Sequence, residues 1–210
     1  MELMSDGAIA VVDAEYAVVT ALHDLFDGTY LLKSGLSACF PFADREASAR
    51  LLTGQATART LIQQRDSLHL AFSSNAETKA VFSPSFQVML VYTLEGAALR
   101  VECTVNNIGA DTALPFYLGL DLHPHCPLFD WEEAADYSLQ TQSDGNNADT
   151  VRLFSRRTGR GMELSWKGFA FQQPKDAVTS GSACLTLDTQ GIQPLAPMES
   201  WRGQLRVTLL

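Results

Sequence analysis

Three short stretches hold residue types suited to proton chemistry or to gripping a polar ligand. The first is Leu114–Leu128, LPFYLGLDLHPHCPL, which ends in His123-Pro124-His125 and contains two of the chain's four histidines. A run of β-forming residues that stops at a proline delivers its last side chains to the rim of a sheet. Histidine titrates near neutrality, so it can give or take a proton there; two ordinary rim histidines are the plainer reading. The second stretch is Phe40-Pro41-Phe42-Ala43-Asp44-Arg45. An arginine leaving an apolar, proline-containing segment can aim its planar fork of donors at hydroxyls, carboxylates or phosphate. Its commoner fate is a surface pair, here with Asp44 or Glu46. The third is Leu185-Thr186-Leu187-Asp188, an apolar strand ending in a carboxylate. Such an aspartate is usually a turn former; in a cleft it is a candidate base.

Metal chemistry is a further option, because histidines two apart on a strand share a face. A metal-dependent β-barrel enzyme using His123 and His125 is therefore one reading. No histidine follows His125, however, and Cys39, Cys103, Cys126 and Cys184 form no close pair. A bound metal is not expected, nor is a disulfide framework.

The elements that would position these residues are short and alternate with period two. Ala8–Val12 and Ala17–Leu22 predict a hairpin turning at Asp13-Ala14-Glu15. Gly28–Leu32, Leu68–Phe72, Phe86–Leu94 and Leu99–Val105 predict strands, the last pair separated by the Glu95-Gly96 turn. Val151–Ser155, Met162–Trp166, Phe169–Gln172, Ala183–Leu187 and Gln204–Leu209 continue the pattern. Thr141–Thr150 reads as an exposed loop, Asp130–Ala135 as a helical turn, and the one longer helix candidate lies within Asp44–Gln64. Many short strands and little helix predict an all-β sandwich or barrel, with residues 1–210 as one domain.

The formal net charge of −9 disfavours nucleic acid and anionic membrane as partners, because phosphate binding needs a basic surface. The first residues, MELMSDGAIAVVDAEY, lack a basic n-region, so a cytoplasmic protein with reduced thiols is expected. Oligomeric state is not legible.

Taken in order, the pieces resemble the aldose 1-epimerase (galactose mutarotase-like) superfamily. The resemblance rests on FPFADR at Phe40–Arg45 and on the strand pair FQVMLVYTLEGAALRVECTVN at Phe86–Asn106. It continues with Pro115…Gly119…His123-Pro124, and with CLTLD at Cys184–Asp188 followed by LAPMES at Leu195–Ser200. It implies a galactose-mutarotase-type β-sandwich, or supersandwich, with a cleft for a pyranose and no cofactor. It implies interconversion of the α and β anomers of an aldohexose or hexose phosphate by general acid/base ring opening. His123 would be the acid and Asp188 the base. Arg45 and His125 would contact substrate, with Arg59 the second cation if the sugar is phosphorylated. Asp188 is one methylene shorter than the glutamate of the superfamily, and Thr53–Arg59 holds no counterpart to its second histidine. The alternative is therefore a catalytically inactive carbohydrate-binding member of the same fold.

Overall fold

The computed structural model describes residues 1–26, 30–42, 44, 47–48, 51, 56–124, 137–143, 149–155, 161–172, 185–189 and 191–210. Within them the alternating segments form fifteen strands. These are β1 (Glu2–Met4), β2 (Ala8–Asp13), β3 (Val18–Asp24), β4 (Tyr30–Cys39) and β5 (Thr57–Gln63). Next come β6 (Ser67–Ser73), β7 (Phe86–Glu95), β8 (Ala98–Asn107), β9 (Gly119–Pro124) and β10 (Tyr137–Ser143). The last five are β11 (Asp149–Ser155), β12 (Gly161–Lys167), β13 (Ala170–Gln172), β14 (Leu185–Asp188) and β15 (Ser200–Leu209). A short helix, α1, spans Ala76–Val81.

The strands form two antiparallel sheets. The first runs β1-β2-β3-β4-β9-β14-β13 and the second β10-β11-β12-β15-β8-β7-β6-β5. Alternation explains how they stack. In β7 every second residue from Phe86 to Leu94 is buried, and in β8 Leu99, Val101, Cys103 and Val105 are buried. From the other sheet Ala8, Ala10 and Val12 of β2, with Leu120 and Leu122 of β9, join the same core. Each fully buried Leu or Phe side chain contributes about 1.5–3 kcal/mol. One inter-sheet tie is polar: the buried Tyr92 hydroxyl donates to Ala17 O at 2.8 Å. Burial pushes that phenol's pKa well above its ordinary value. Phe40, just past β4, packs on Phe86 with ring centroids 4.9 Å apart and on Phe82 at 6.4 Å. The stretch leading to Arg45 thus leaves from the middle of the core.

The first hairpin forms where alternation predicts it. Val12 pairs with Val19 and Asp13 with Val18, and Asp13 Oδ1 accepts from the backbone N–H groups of Glu15 and Tyr16. Two expectations are corrected. The helix candidate within Asp44–Gln64 does not reach the end of that range: Ala47 and Ser48 are helical, but Thr57–Gln63 is β5, paired along β6 from Thr57↔Ser73 to Gln63↔Leu68. Thr57, Thr60 and Ile62 are β-branched, and an available ladder outweighs the helix propensity of Ala and Arg. Thr141–Thr150 is not a loop throughout, because residues 141–143 close β10 and 149–150 open β11, with Ser143 opposite Asp149. Paired backbone, not side-chain polarity, decides that hairpin. The helical turn expected at Asp130–Ala135 lies outside the described residues. Two elements were not foreseen. β1 pairs with β2. α1 is set by Asn75, whose Oδ1 accepts from Glu77 N and Thr78 N while Asn75 N donates to Thr78 Oγ1, a capping box.

Candidate functional site

The site is built on three central strands of the first sheet. β9 lies between β4 and β14, so Gly119 stands opposite Cys39 and Asp188, and Asp121 opposite Ser37 and Thr186. Leu120, Leu122, Leu185, Leu187 and Leu36 turn into the core. Strand alternation then puts Gly119, Asp121, Asp188, Thr186, Ser37 and Cys39 on the opposite face. Position 123 shares that face by register, two residues beyond Asp121 on β9.

Two carboxyl groups on this face are removed from water: Asp121 is 3% and Asp188 2% exposed. Burying such a group is costly unless it is hydrogen-bonded. Asp121 Oδ1 accepts from Thr186 Oγ1 at 2.7 Å, and Oδ2 accepts from Cys39 Sγ at 3.5 Å. Asp188 Oδ1 accepts from Gln172 Nε2 at 3.3 Å. Asp188 is also held through its neighbour: Thr189 Oγ1 accepts from Leu118 N at 2.9 Å, and Thr189 N donates to Leu118 O at 3.1 Å. The end of β14 is thereby pinned to the entry of β9.

Two glycines shape the surroundings. Gly35 has φ +95°, and a Cβ there would lie 2.6 Å from Val19 O. It sits in a β4 bulge, where Leu36 pairs with Leu122 but Leu32 pairs with Pro124. The bulge bends β4 beside the end of β9, next to position 123. At Gly119 a Cβ would fall 2.8 Å from Tyr117 Oη and 2.9 Å from Tyr117 Cε1. The ring of Tyr117 therefore occupies the space a side chain would take, on the face bearing Asp188 and Cys39. Its backbone N–H donates to Pro41 O at 3.0 Å, joining it to the apolar stretch that precedes Arg45. Ser48 Oγ accepts from Phe42 N at 3.1 Å and donates to Phe42 O, clasping the chain on either side of Arg45.

Of the residues singled out from sequence, the structure brings position 123 and Asp188 to adjoining strands on one face. Arg45 and His125 lie outside the described residues, as does the side chain of His123. Arg59 is exposed on β5, the edge strand of the other sheet. Among the described residues no group of three or more His, Cys, Asp or Glu is arranged to hold a metal ion. Cys103 is buried, and burial pushes its thiol up to about 12, so it is inert at neutral pH. Sequence reasoning missed Asp121, Tyr117 and Cys39 as neighbours of Asp188. Asp121 had a legible signal, a lone carboxylate between leucines at period two from His123; Tyr117 and Cys39 had none.

Solved structures with this arrangement of sheets exist. A galactose mutarotase-like protein from Lactobacillus casei superposes with a TM-score of 0.75, 12% identity, and coverage of 100% of this chain and 99% of that one. The chain has the galactose mutarotase-like fold. A galactose mutarotase-like protein from Clostridium acetobutylicum gives a TM-score of 0.73 at 14% identity, covering 100% of this chain and 94% of the other. A galactose mutarotase related enzyme from Lactobacillus acidophilus gives 0.72 at 12% identity, covering 100% and 97%. At the level of sequence, the chain is 32% identical over 75 residues to plasmid protein LacX of Lactococcus lactis subsp. lactis. That match takes in 36% of this chain and 25% of LacX. No protein-family model matches. Among the described residues no helix of this mutarotase-like fold is long and apolar enough to cross a membrane.

Proposed function

We propose that the chain binds an aldohexose, or its phosphate, over the β4–β9–β14 face and interconverts its α and β anomers. Ring opening breaks the C1–O5 bond. O5 gains a proton while the anomeric hydroxyl loses one, leaving an aldehyde. Rotation about C1–C2 presents the other carbonyl face, and closure reverses the transfers. One acid and one base of suitable strength are enough. His123 is the acid and Asp188 the base. Arg45 and His125 contact the sugar, and Arg59 is the second cation for a phosphorylated substrate.

The observation that supports this most is the register of β9 and β14. Asp188 stands opposite Gly119, and position 123 lies four residues along the same strand and on the same face. Two buried carboxyl groups are maintained on that face by Thr186, Cys39 and Gln172. A second reading, a binding protein without catalysis, is favoured by the depth of Asp188, which is 2% exposed. A carboxyl group so placed can serve as a strut.

Exchange NMR on the anomeric protons of glucose, galactose and glucose 6-phosphate tests the proposal. Acceleration by the wild type that is lost in His123→Ala supports the epimerase. Folded protein that binds sugar without accelerating exchange supports the binding protein. Tighter binding of glucose 6-phosphate that weakens steeply with salt supports Arg59; equal affinity for both sugars removes that role.

A further inference from the structure

We infer that Tyr117 is a substrate-contacting residue of this cleft, its phenol hydroxyl donating a hydrogen bond to an oxygen of the bound pyranose. The inference rests on the sugar-cleft reading above and adds to it a residue to which that reading assigned no role.

Three observations converge on this residue. First, Tyr117 sits at the joint of the segments that build the site: its N–H is bonded to Pro41 O, and two residues later the chain enters β9. Second, its ring lies over Gly119, where a Cβ would meet Oη at 2.8 Å and Cζ at 3.1 Å. Glycine at 119 is what lets the phenol approach the strand this closely. Any L side chain there would push the ring off, because Cβ contacts under 3 Å are not tolerated. Third, the flanking residues across the ladder are Asp188 on β14 and Cys39 on β4. The hydroxyl is thus held on the face of the carboxyl group assigned as base. Tyr117 is only partly buried, so a ligand can reach it. A phenol hydroxyl is both a hydrogen-bond donor and an acceptor. Its flat ring also suits a pyranose, which offers an apolar face edged with hydroxyls.

Tyr117→Phe keeps the ring over Gly119 and removes only the hydroxyl. The test measures three things in wild type and variant: the anomer-exchange rate over a range of sugar concentration, the melting temperature, and sugar affinity by saturation-transfer NMR. In wild type carrying 13Cζ-labelled tyrosine, the Tyr117 signal is followed as the same sugar is added. The expected result is a five- to tenfold rise in KM and in the dissociation constant, the size of one lost neutral hydrogen bond. The wild-type Tyr117 signal should shift in a saturable way, and the melting temperature shows that the variant is folded. A residue that merely packs on Gly119 would leave KM and sugar affinity indifferent to the loss of the hydroxyl, and the labelled signal indifferent to sugar. If the wild type binds and turns over sugar while Tyr117→Phe matches it, the inference falls and the epimerase stands. If the folded wild type binds none of the sugars, both fall.

Discussion

The outward faces of the two sheets obey one alternation rule and use it differently. On the eight-stranded sheet the outward residues are charged and wet. Glu95 pairs with Arg100 at 3.0 Å and with Arg206 at 2.9 Å, all three between 31% and 41% exposed in their side chains. Nearby, Glu102, Lys167, Arg202 and Gln204 rim an open depression of about 340 Å³. On the seven-stranded sheet the equivalent positions of β9 and β14 hold carboxyl groups that are 2–3% exposed, wired to Thr186, Cys39 and Gln172. A solvated ion pair is cheap to keep and contributes little. A buried carboxyl group is expensive, and persists where each oxygen has a donor. The contrast is one of cost: the seven-stranded sheet keeps buried carboxyl groups where the eight-stranded sheet keeps solvated ion pairs. The seven-stranded sheet also carries the bulge at Gly35 and the close approach of Tyr117 to Gly119.

The sharpest way to break this comparison is to remove chemistry from one face and charge from the other. His123→Ala and Asp188→Asn should each slow anomer exchange by about 10²- to 10⁴-fold. Arg202→Ala, on the other face, should leave the rate unchanged, all read by exchange NMR. The opposite pattern would move the site to the second sheet. Phe86→Ala strikes the core both faces share, where Phe86 packs on Phe40 and Phe82. It should cost about 3–5 kcal/mol in urea unfolding. Thr186→Val removes the hydroxyl that donates to Asp121 and should cost about 1–3 kcal/mol, the range for stranding a buried polar group. Glu95→Ala should cost less than about 1 kcal/mol. Equal losses for these two would erase the distinction between the faces.

The smallest effect concerns His23, whose pKa lies below its ordinary value because of burial, with Glu2 opposing the shift. The folded state therefore prefers the neutral ring. Above the unfolded value of 6.5 this group leaves stability unchanged. As pH falls below it, the unfolded chain takes up the proton first and stability declines slightly. His23→Gln should flatten that slope in melting curves recorded from pH 7 to 5.

Much of the fold was legible because burial on one side of a strand writes itself as period two. The β2–β3 hairpin and the β7–β8 pair follow directly from that pattern, as do β12 and β15. Arg59 shows where legibility ends. Its segment reads as helix by composition and folds as an edge strand, since only the presence of β6 beside it supplies the ladder. Likewise Thr141–Ser143 of β10 and Asp149–Thr150 of β11 look like loop by polarity, and pair because their backbones meet.

The sequence by itself determined the all-β class, the turns at Asp13 and Gly96, the apolar residues that fill the core, and the presence of acidic and imidazole groups at strand ends. These are local facts, set by side-chain period and turn chemistry within a few residues. Only the tertiary structure decided which of those groups meet. Asp188 lies 69 positions after Gly119 and stands opposite it; Cys39 lies 82 positions before Asp121 and donates to it. Tyr117 covers Gly119 because the chain folds back from Pro41. Such neighbours are chosen by strand order and register, which depend on how the whole chain closes its core. No window of sequence contains that information.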